Sequence, residues 1–155
     1  MFYAALSNIR SLYNVGALFR TADAFGICRI IIGGYTGYPP HKEITKTALG
    51  AENWVPWERS YRLPQRLKAL KNQGFHIIGL ENNIKGTTPL PFFRPQFPLV
   101  LVVGNEVRGI SESVKKEVDA FVSIPMQGKK ESLNVAVAFG IAAYIIATYR
   151  AKMRG

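Results

Sequence analysis

The stretch ESLNVAVAFGIAAYIIATYR, residues 131 to 150, is the most apolar segment of the chain. It begins with the small polar residues Ser132 and Asn134, directly behind a charged loop, Gly128-Lys129-Lys130-Glu131. The apolar run from 135 to 149 is shorter than the roughly 20 residues that cross a bilayer core, and no second segment of this kind occurs. We therefore predict a core or interface helix and no membrane partner.

Short β-rich runs alternate with helical patterns along the rest of the chain. The predicted strands cover residues 2–7, 28–35, 75–81, 98–105 and 120–125. The predicted helices cover residues 14–25, 44–51, 61–73, 111–117 and 132–150. Several strands are continuously apolar, as strands covered by helices on both faces are. This alternation predicts an α/β domain with a mainly parallel sheet, in which the proline-rich residues 87–98 form a loop.

Length and charge limit the classes of function. A chain of 155 residues with 48% hydrophobic content can bury one core, so residues 1–155 are predicted to be a single domain with no appended RNA-binding domain. Lysine and arginine number 20 against 10 acidic residues, a net charge of +10. This excess favours RNA or DNA as a partner over acidic lipid, because no basic amphipathic helix is evident. An ordinary soluble basic protein is the alternative.

Cysteine and histidine are too few to build a disulfide or a metal site. Cys28 is the only cysteine, and we expect it to be a buried structural thiol in an intracellular, cytoplasmic protein. His41 and His76 are the only histidines and stand far apart in the sequence. No metal is therefore expected.

Polar residues and glycines are concentrated after the predicted strands, where parallel sheets bind ligands. In the segment NVGALFR, Asn14 is positioned to cap a helix, and Arg20 then lies nearly two turns in. Arg20 is either a solvated charge or an anion-binding group, since its guanidinium matches phosphate and hydroxyl acceptors.

Two later segments also place glycine or polar residues after a predicted strand. Gly104 directly follows an apolar strand and permits close backbone approach to a ligand, although a plain turn explains it equally well. In the last segment, IPM is followed by a basic loop and then SLN. Ser132 can cap the last helix, but Asn134 would then lie inside its first turn and need a hydrogen-bonding partner.

Together and in this order, the three segments resemble the sequence motifs of the SpoU (TrmH-like) family of the SPOUT, or α/β-knot, RNA methyltransferases. The matching segments are NVGALFRTADAFG, LVLVVGNEVRGIS and IPMQGKKESLNVAVAFG, and ITKTALGAENWVPWE is also typical of small members. The resemblance extends from residue 4 to residue 149. It implies a parallel α/β fold with helices on both faces and a C-terminal trefoil knot.

The resemblance also implies a site. Family members bind S-adenosylmethionine, release S-adenosylhomocysteine, and form homodimers whose active sites use both subunits. By position, the cofactor contacts are Leu80, Gly104, Ile124, Met126 and Leu133. The catalytic arginine is Arg20, supported by Asn14, and the remaining polar positions are Glu106, Ser132 and Asn134.

The implied activity is methylation of a ribose 2′-hydroxyl in tRNA or rRNA. Cationic side chains that could contact RNA phosphates are Arg20, Lys42, Lys46, Arg59, Arg62, Arg66, Lys68, Lys71, Arg108, Lys129 and Lys130. Each of them taken alone can equally be a solvated charge. Two other functions remain open: a base-methylating SPOUT enzyme, and a non-catalytic RNA-binding protein with the same fold.

Overall fold

The computed structural model describes residues 1–155 and contains one seven-stranded sheet in which all paired strands are parallel. The strands are β1 (Phe2–Ser7), β2 (Arg29–Gly33), β3 (Trp57–Ser60), β4 (His76–Leu80), β5 (Thr88–Pro89), β6 (Leu99–Val103) and β7 (Ala120–Ser123). Their order across the sheet is β3-β2-β1-β6-β4-β7-β5. The predicted parallel α/β architecture is confirmed, while the trefoil knot stays a prediction.

Helices cover both faces of this sheet, as predicted. They are α1 (Leu12–Ala24), α2 (Lys42–Ala48), α3 (Leu63–Asn72), α4 (Glu112–Lys115) and α5 (Val135–Arg154). A cluster of 27 buried residues joins α1, α2 and α5 to one face, and a cluster of 11 joins α3 and α4 to the other. The central strand β6 has the sequence LVLVV and is buried along its whole length, because side chains on both of its faces enter a core.

The sequence prediction missed two strands, and both lie at the edges of the sheet. The residues of β3 are all half-buried, and Glu58 in this strand pairs with Arg29 and Arg66. An edge strand with one exposed side tolerates this polarity, which hides it from a search for apolar runs. At the other edge, β5 has two residues, one of them Pro89, and interrupts the loop predicted over residues 87–98.

The last helix differs from its prediction in its bounds and in the length of its apolar part. It begins at Val135 and continues to Arg154, which makes 20 residues, so the argument that it is too short to cross a membrane is wrong. Its packing gives it a different role. One face is fully buried in the protein core through Phe139, Ala142, Ala143 and Ile146. The opposite face exposes apolar side chains to solvent, namely Val137, Ile141 and Tyr144.

The expectation of a buried Cys28 is wrong. The strand β2 begins one residue later, at Arg29, and Cys28 lies exposed in the connection from α1. Its thiol lies 3.8 Å from the carbonyl oxygen of Gly26. The apolar character of the following residues therefore does not extend to this position.

Candidate active site

A pocket opens at the carboxyl ends of the adjacent strands β6, β4 and β7, the edge at which a ligand site was predicted. Four of the predicted cofactor residues line it: Leu80, Gly104, Ile124 and Leu133. Three of the predicted polar residues also line it: Glu106, Ser132 and Asn134. Met126 lies in the same loop as Ile124 but is not on the pocket wall. Residues distant in sequence therefore meet at one place because parallel strands end at one edge.

Position 104 must be a glycine because the backbone of the following loop leaves no room for a side chain there. A Cβ atom at this position would lie 2.4 Å from the carbonyl carbon of Gly109 and 2.4 Å from the backbone nitrogen of Ile110. The loop between them is closed by two backbone hydrogen bonds that join Asn105 and Gly109. Glu81 supports the same loop by accepting a hydrogen bond from the Ile110 N–H at 3.0 Å. The glycine thus allows the loop to fold back tightly along the pocket.

Asn134 has the capping role that Ser132 was predicted to have. Its side-chain oxygen accepts hydrogen bonds from the backbone N–H groups of Ala136 and Val137, at 2.9 and 3.2 Å, so Asn134 caps α5. Ser132 stays exposed on the pocket wall and caps nothing. The prediction that α5 begins at residue 132 is wrong for the same reason, since the residues before Asn134 are non-helical.

The first and third motifs meet through two asparagines. The Asn134 side-chain amide donates a hydrogen bond to the side-chain oxygen of Asn14 at 3.3 Å. Asn14 does not cap α1 as predicted; Ser11 does, by accepting from the Asn14 backbone N–H at 3.2 Å. The Asn14 side chain is therefore free to face the start of α5. This contact brings α1 to the edge of the pocket.

Glu106 stabilises the backbone of the residues that precede α1. Its carboxylate accepts hydrogen bonds from the Arg10 N–H at 2.9 and 3.2 Å and from the Ser11 N–H at 3.3 Å. These N–H groups immediately precede the helix and lack intrahelical partners. Glu106 therefore joins the second motif to the first, just as Asn134 joins the third to the first.

Arg20 lies outside the pocket. Its side chain is exposed and makes no hydrogen bond or ion pair within the chain. Arg20 and the exposed Tyr13 are seven residues apart on α1, which places them on the same face of the helix. A single chain thus assembles the pocket but leaves the predicted catalytic arginine on its surface.

Comparison with known proteins identifies the family. Residues 1–144 match the model of the SpoU rRNA methylase family, which is most of the chain and includes all three motifs. This chain belongs to the SpoU family. A Mycobacterium leprae protein named as an uncharacterized tRNA/rRNA methyltransferase is 37% identical over 146 residues. That match covers 94% of this chain and 47% of the relative, so the SpoU chain spans about half the length of this curated relative.

Two solved structures are close to this chain in shape. The AdoMet-bound rRNA methyltransferase of Sinorhizobium meliloti has a TM-score of 0.87 and 27% identity, covering 96% of this chain and 56% of that one. A second structure, from work on 2-OH methylation of C/U34 on tRNA, has a TM-score of 0.86 and 26% identity. It covers 98% of this chain and 97% of the other, so the two chains are matched almost end to end.

The predicted RNA-contacting cations of this SpoU chain are dispersed, and all are exposed except the half-buried Arg59, Arg66 and Lys71. Lys42 and Lys46 lie on α2, Arg108 lies in the loop after β6, and Lys129 and Lys130 lie in the loop before α5. Only the last three are near the pocket in sequence, beside its lining residues Val107 and Ser132. No group of three or more histidine, cysteine, aspartate or glutamate side chains is placed to hold a metal ion.

Asn82, which sequence reasoning missed, holds the loop that forms one wall of the pocket. Its side-chain amide donates to the carbonyl oxygens of Ile124 and Glu131, at 3.0 and 3.3 Å. Its side-chain oxygen accepts from the Ile124 N–H at 2.9 Å. One asparagine thus ties both ends of the loop to the end of β4. An asparagine directly after a buried strand was the available signal, because this edge collects the ligand-site residues.

Replacing Asn82 with alanine is expected to loosen this loop. The three lost hydrogen bonds correspond to about 1.5 to 4.5 kcal/mol of local opening free energy. Amide exchange at Ile124 should therefore accelerate while exchange in the central strands stays unchanged. Asn83→Ala is the matched control, because Asn83 also lines the pocket but its side chain makes no hydrogen bond. Equal exchange rates in wild type and Asn82→Ala would contradict this role.

Proposed function

We propose that this SpoU-family chain transfers a methyl group from S-adenosylmethionine to a ribose 2′-hydroxyl of tRNA or rRNA. The observation that carries the proposal is the pocket itself, where residues of the second and third motifs meet and Asn134 contacts Asn14 of the first. The AdoMet-bound Sinorhizobium relative supports the cofactor. The relative associated with 2-OH methylation of C/U34, matched over 97% of its length, supports the ribose as acceptor.

The pocket lining suits S-adenosylmethionine. Its apolar residues, Leu80, Val103, Ile124, Leu133, Val135 and Ala138, can pack against the adenine ring. Its polar residues, among them Glu81, Asn82, Asn105 and Ser132, can bind the ribose and methionine ends. We assign the cofactor contacts to Leu80, Gly104, Ile124 and Leu133. When bound, the cofactor supplies the methyl group as part of a positively charged sulfonium.

The side chains of this chain can position the acceptor and stabilise its charge. Methyl transfer joins the ribose oxygen to the methyl carbon, breaks the sulfur–carbon bond and releases the hydroxyl proton to solvent. The Arg20 guanidinium donates hydrogen bonds to the ribose oxygen and stabilises developing negative charge there. Positioning contributes much of the rate, and the apolar wall limits water around charges that are being neutralised. Glu106 and Asn134 hold α1 against the pocket.

Arg20 reaches a pocket only if a second subunit supplies it. The face of α1 that carries Tyr13 and Arg20 lies beside the exposed apolar face of α5, since α1 and α5 pack together and Thr21 lies 3.9 Å from a Cβ built on Gly140. We propose that two chains pair through these faces. Such an interface covers the exposed apolar residues of α5 and brings the arginine of one chain to the pocket of its partner.

Binding and transfer assays test the proposed function together. Calorimetry with S-adenosylhomocysteine should detect one site per chain, and radioactive S-adenosylmethionine should label tRNA or rRNA from a strain that lacks the gene. RNA binding should weaken steeply with added salt, because cationic side chains displace counterions from phosphates. Absence of cofactor binding would contradict a methyltransferase and leave an RNA-binding protein with the same fold. A flat salt response would contradict the phosphate contacts.

A further inference from the structure

Three exposed tyrosines and one arginine form a cluster at the carboxyl end of β2 and β3, outside the pocket. We call Tyr35, Tyr38, Arg59 and Tyr61 the aromatic platform. The Arg59 guanidinium carbon lies 4.1 Å from the ring centre of Tyr38 and 4.0 Å from that of Tyr61. Tyr61 is 73% exposed, so Arg59 covers one face of its ring and the other face is open to solvent.

The aromatic platform rests on a well-anchored loop. The fully buried Thr36 accepts a hydrogen bond from the Ile9 N–H at 2.9 Å. The Asn8 side chain accepts one from the Tyr35 N–H at 3.1 Å. A Cβ on Gly37 would lie 2.2 Å from a methyl carbon of Leu12, so this loop packs tightly against the start of α1. This loop holds two of the tyrosines, Tyr35 and Tyr38, in exposed positions, and Arg59 joins Tyr61 to Tyr38 by lying against both rings.

The aromatic platform is joined to the pocket through Tyr35. The Asn105 side-chain amide donates to the Tyr35 hydroxyl at 2.8 Å and to the Asn8 carbonyl oxygen at 3.0 Å. Asn105 is itself a pocket-lining residue. A polymer whose reacting ribose lies at the mouth of the pocket, beside the cofactor, can therefore pass over Tyr35 toward the β3 edge of the sheet.

Charge around the aromatic platform is positive. Arg59 and Arg62 make no ion pair with a carboxylate, and Arg62, which directly follows Tyr61, is exposed. An open aromatic face beside an exposed arginine without a carboxylate partner fits one class of ligand well. Unpaired nucleotides stack their bases on aromatic rings and place their phosphates near cationic side chains, whereas the bases of a duplex are already stacked on one another.

We propose that the aromatic platform binds unpaired RNA next to the nucleotide at the mouth of the pocket, with a flanking base stacked on the open face of Tyr61. This inference rests on the proposed function and adds that the substrate is single-stranded around the methylated position. A loop or an unpaired end of a structured RNA satisfies this requirement.

The test measures binding of a fluorescent oligoadenylate of about 12 nucleotides, long enough to cross pocket and platform. Tyr61→Ala should weaken binding at least about fivefold, the lower end of the stacking contribution of one base. Tyr61→Phe keeps the ring and should bind as wild type does. Phe92→Ala is the matched control, because Phe92 is also 73% exposed but follows β5 at the opposite edge of the sheet.

Several outcomes would overturn the inference. These are unchanged binding by Tyr61→Ala, an equal loss for Tyr61→Ala on an RNA duplex, and no oligoadenylate binding by wild type. Methyl transfer measured on the same preparations separates this inference from the proposed function. If wild type methylates RNA and Tyr61→Ala binds the oligonucleotide normally, the proposed function stands and the aromatic platform is excluded as a binding site. If wild type binds the oligonucleotide through Tyr61 but transfers no methyl group, the aromatic platform stands and the proposed function is excluded.

Discussion

Replacing Arg20 with alanine should lower methyl transfer to RNA by about 100-fold or more, the usual cost of removing one donor that stabilises a developing oxyanion. Folding should be unaffected, because the Arg20 side chain is exposed and has no partner within the chain. Binding of S-adenosylhomocysteine should also be unaffected, because the cofactor contacts are assigned to other residues and Arg20 is proposed to contact the ribose of the RNA. A loss of transfer with normal cofactor binding is a combination that general destabilisation does not produce.

Two further variants define the role of Arg20. Arg20→Lys keeps the positive charge but loses the planar fork of donors, so we expect it to recover only part of the activity. Arg154→Ala removes another exposed arginine, from the last turn of α5, and should behave as wild type. Near-normal turnover by either Arg20 variant would exclude a catalytic role for this side chain.

Introducing a charge on the exposed face of α5 should separate the subunits and abolish methyl transfer. Val137 and Ile141 are 52% and 37% exposed on the face opposite the core, so Ile141→Glu alone or with Val137→Glu should leave the monomer folded. Within an interface the same carboxylates would be buried without partners, which opposes pairing. Light scattering at micromolar concentration should show a dimer for wild type and a monomer for the variants.

A control and a mixing experiment refine this prediction. Met153→Glu alters another exposed apolar residue of α5, 64% exposed and off the proposed face, and should remain dimeric. Mixing inactive Arg20→Ala chains with inactive Leu133→Asp chains should restore activity, because a mixed dimer holds one intact pocket faced by an intact arginine. A monomeric wild type, or no recovery on mixing, would contradict an active site shared between subunits.

The buried part of the fold could be predicted because burial on both faces leaves a continuous apolar run in the sequence of each strand. A strand covered on both faces must be apolar throughout, as LVLVV in β6 is, so the central strands were found. The edge strands were missed because they are partly exposed and therefore need no continuous apolar run. Residues of β3 such as Glu58 and Arg59 are stabilised by ion pairs and stacking partners that come from other parts of the chain.

The pocket was predicted better than the contacts that hold it. Leu80, Gly104 and Ile124 were named from the resemblance to the SpoU motifs, and they line one pocket because the strands that precede them end at one edge of a parallel sheet. The roles of Asn82 and Asn134 depend on which backbone groups lack partners in the folded chain, and spacing does not reveal this. Capping by Asn134 explains why a very apolar helix has a polar start.

The central claim, methylation of a ribose in RNA, is tested most directly by identifying the product. RNA from a strain that lacks the gene is incubated with the protein and S-adenosylmethionine, digested to nucleosides and examined by mass spectrometry. We predict a 2′-O-methylated nucleoside at a single-stranded position, formed by wild type and nearly absent with Arg20→Ala. A methyl group on a base, or no methylated nucleoside at all, would contradict the account.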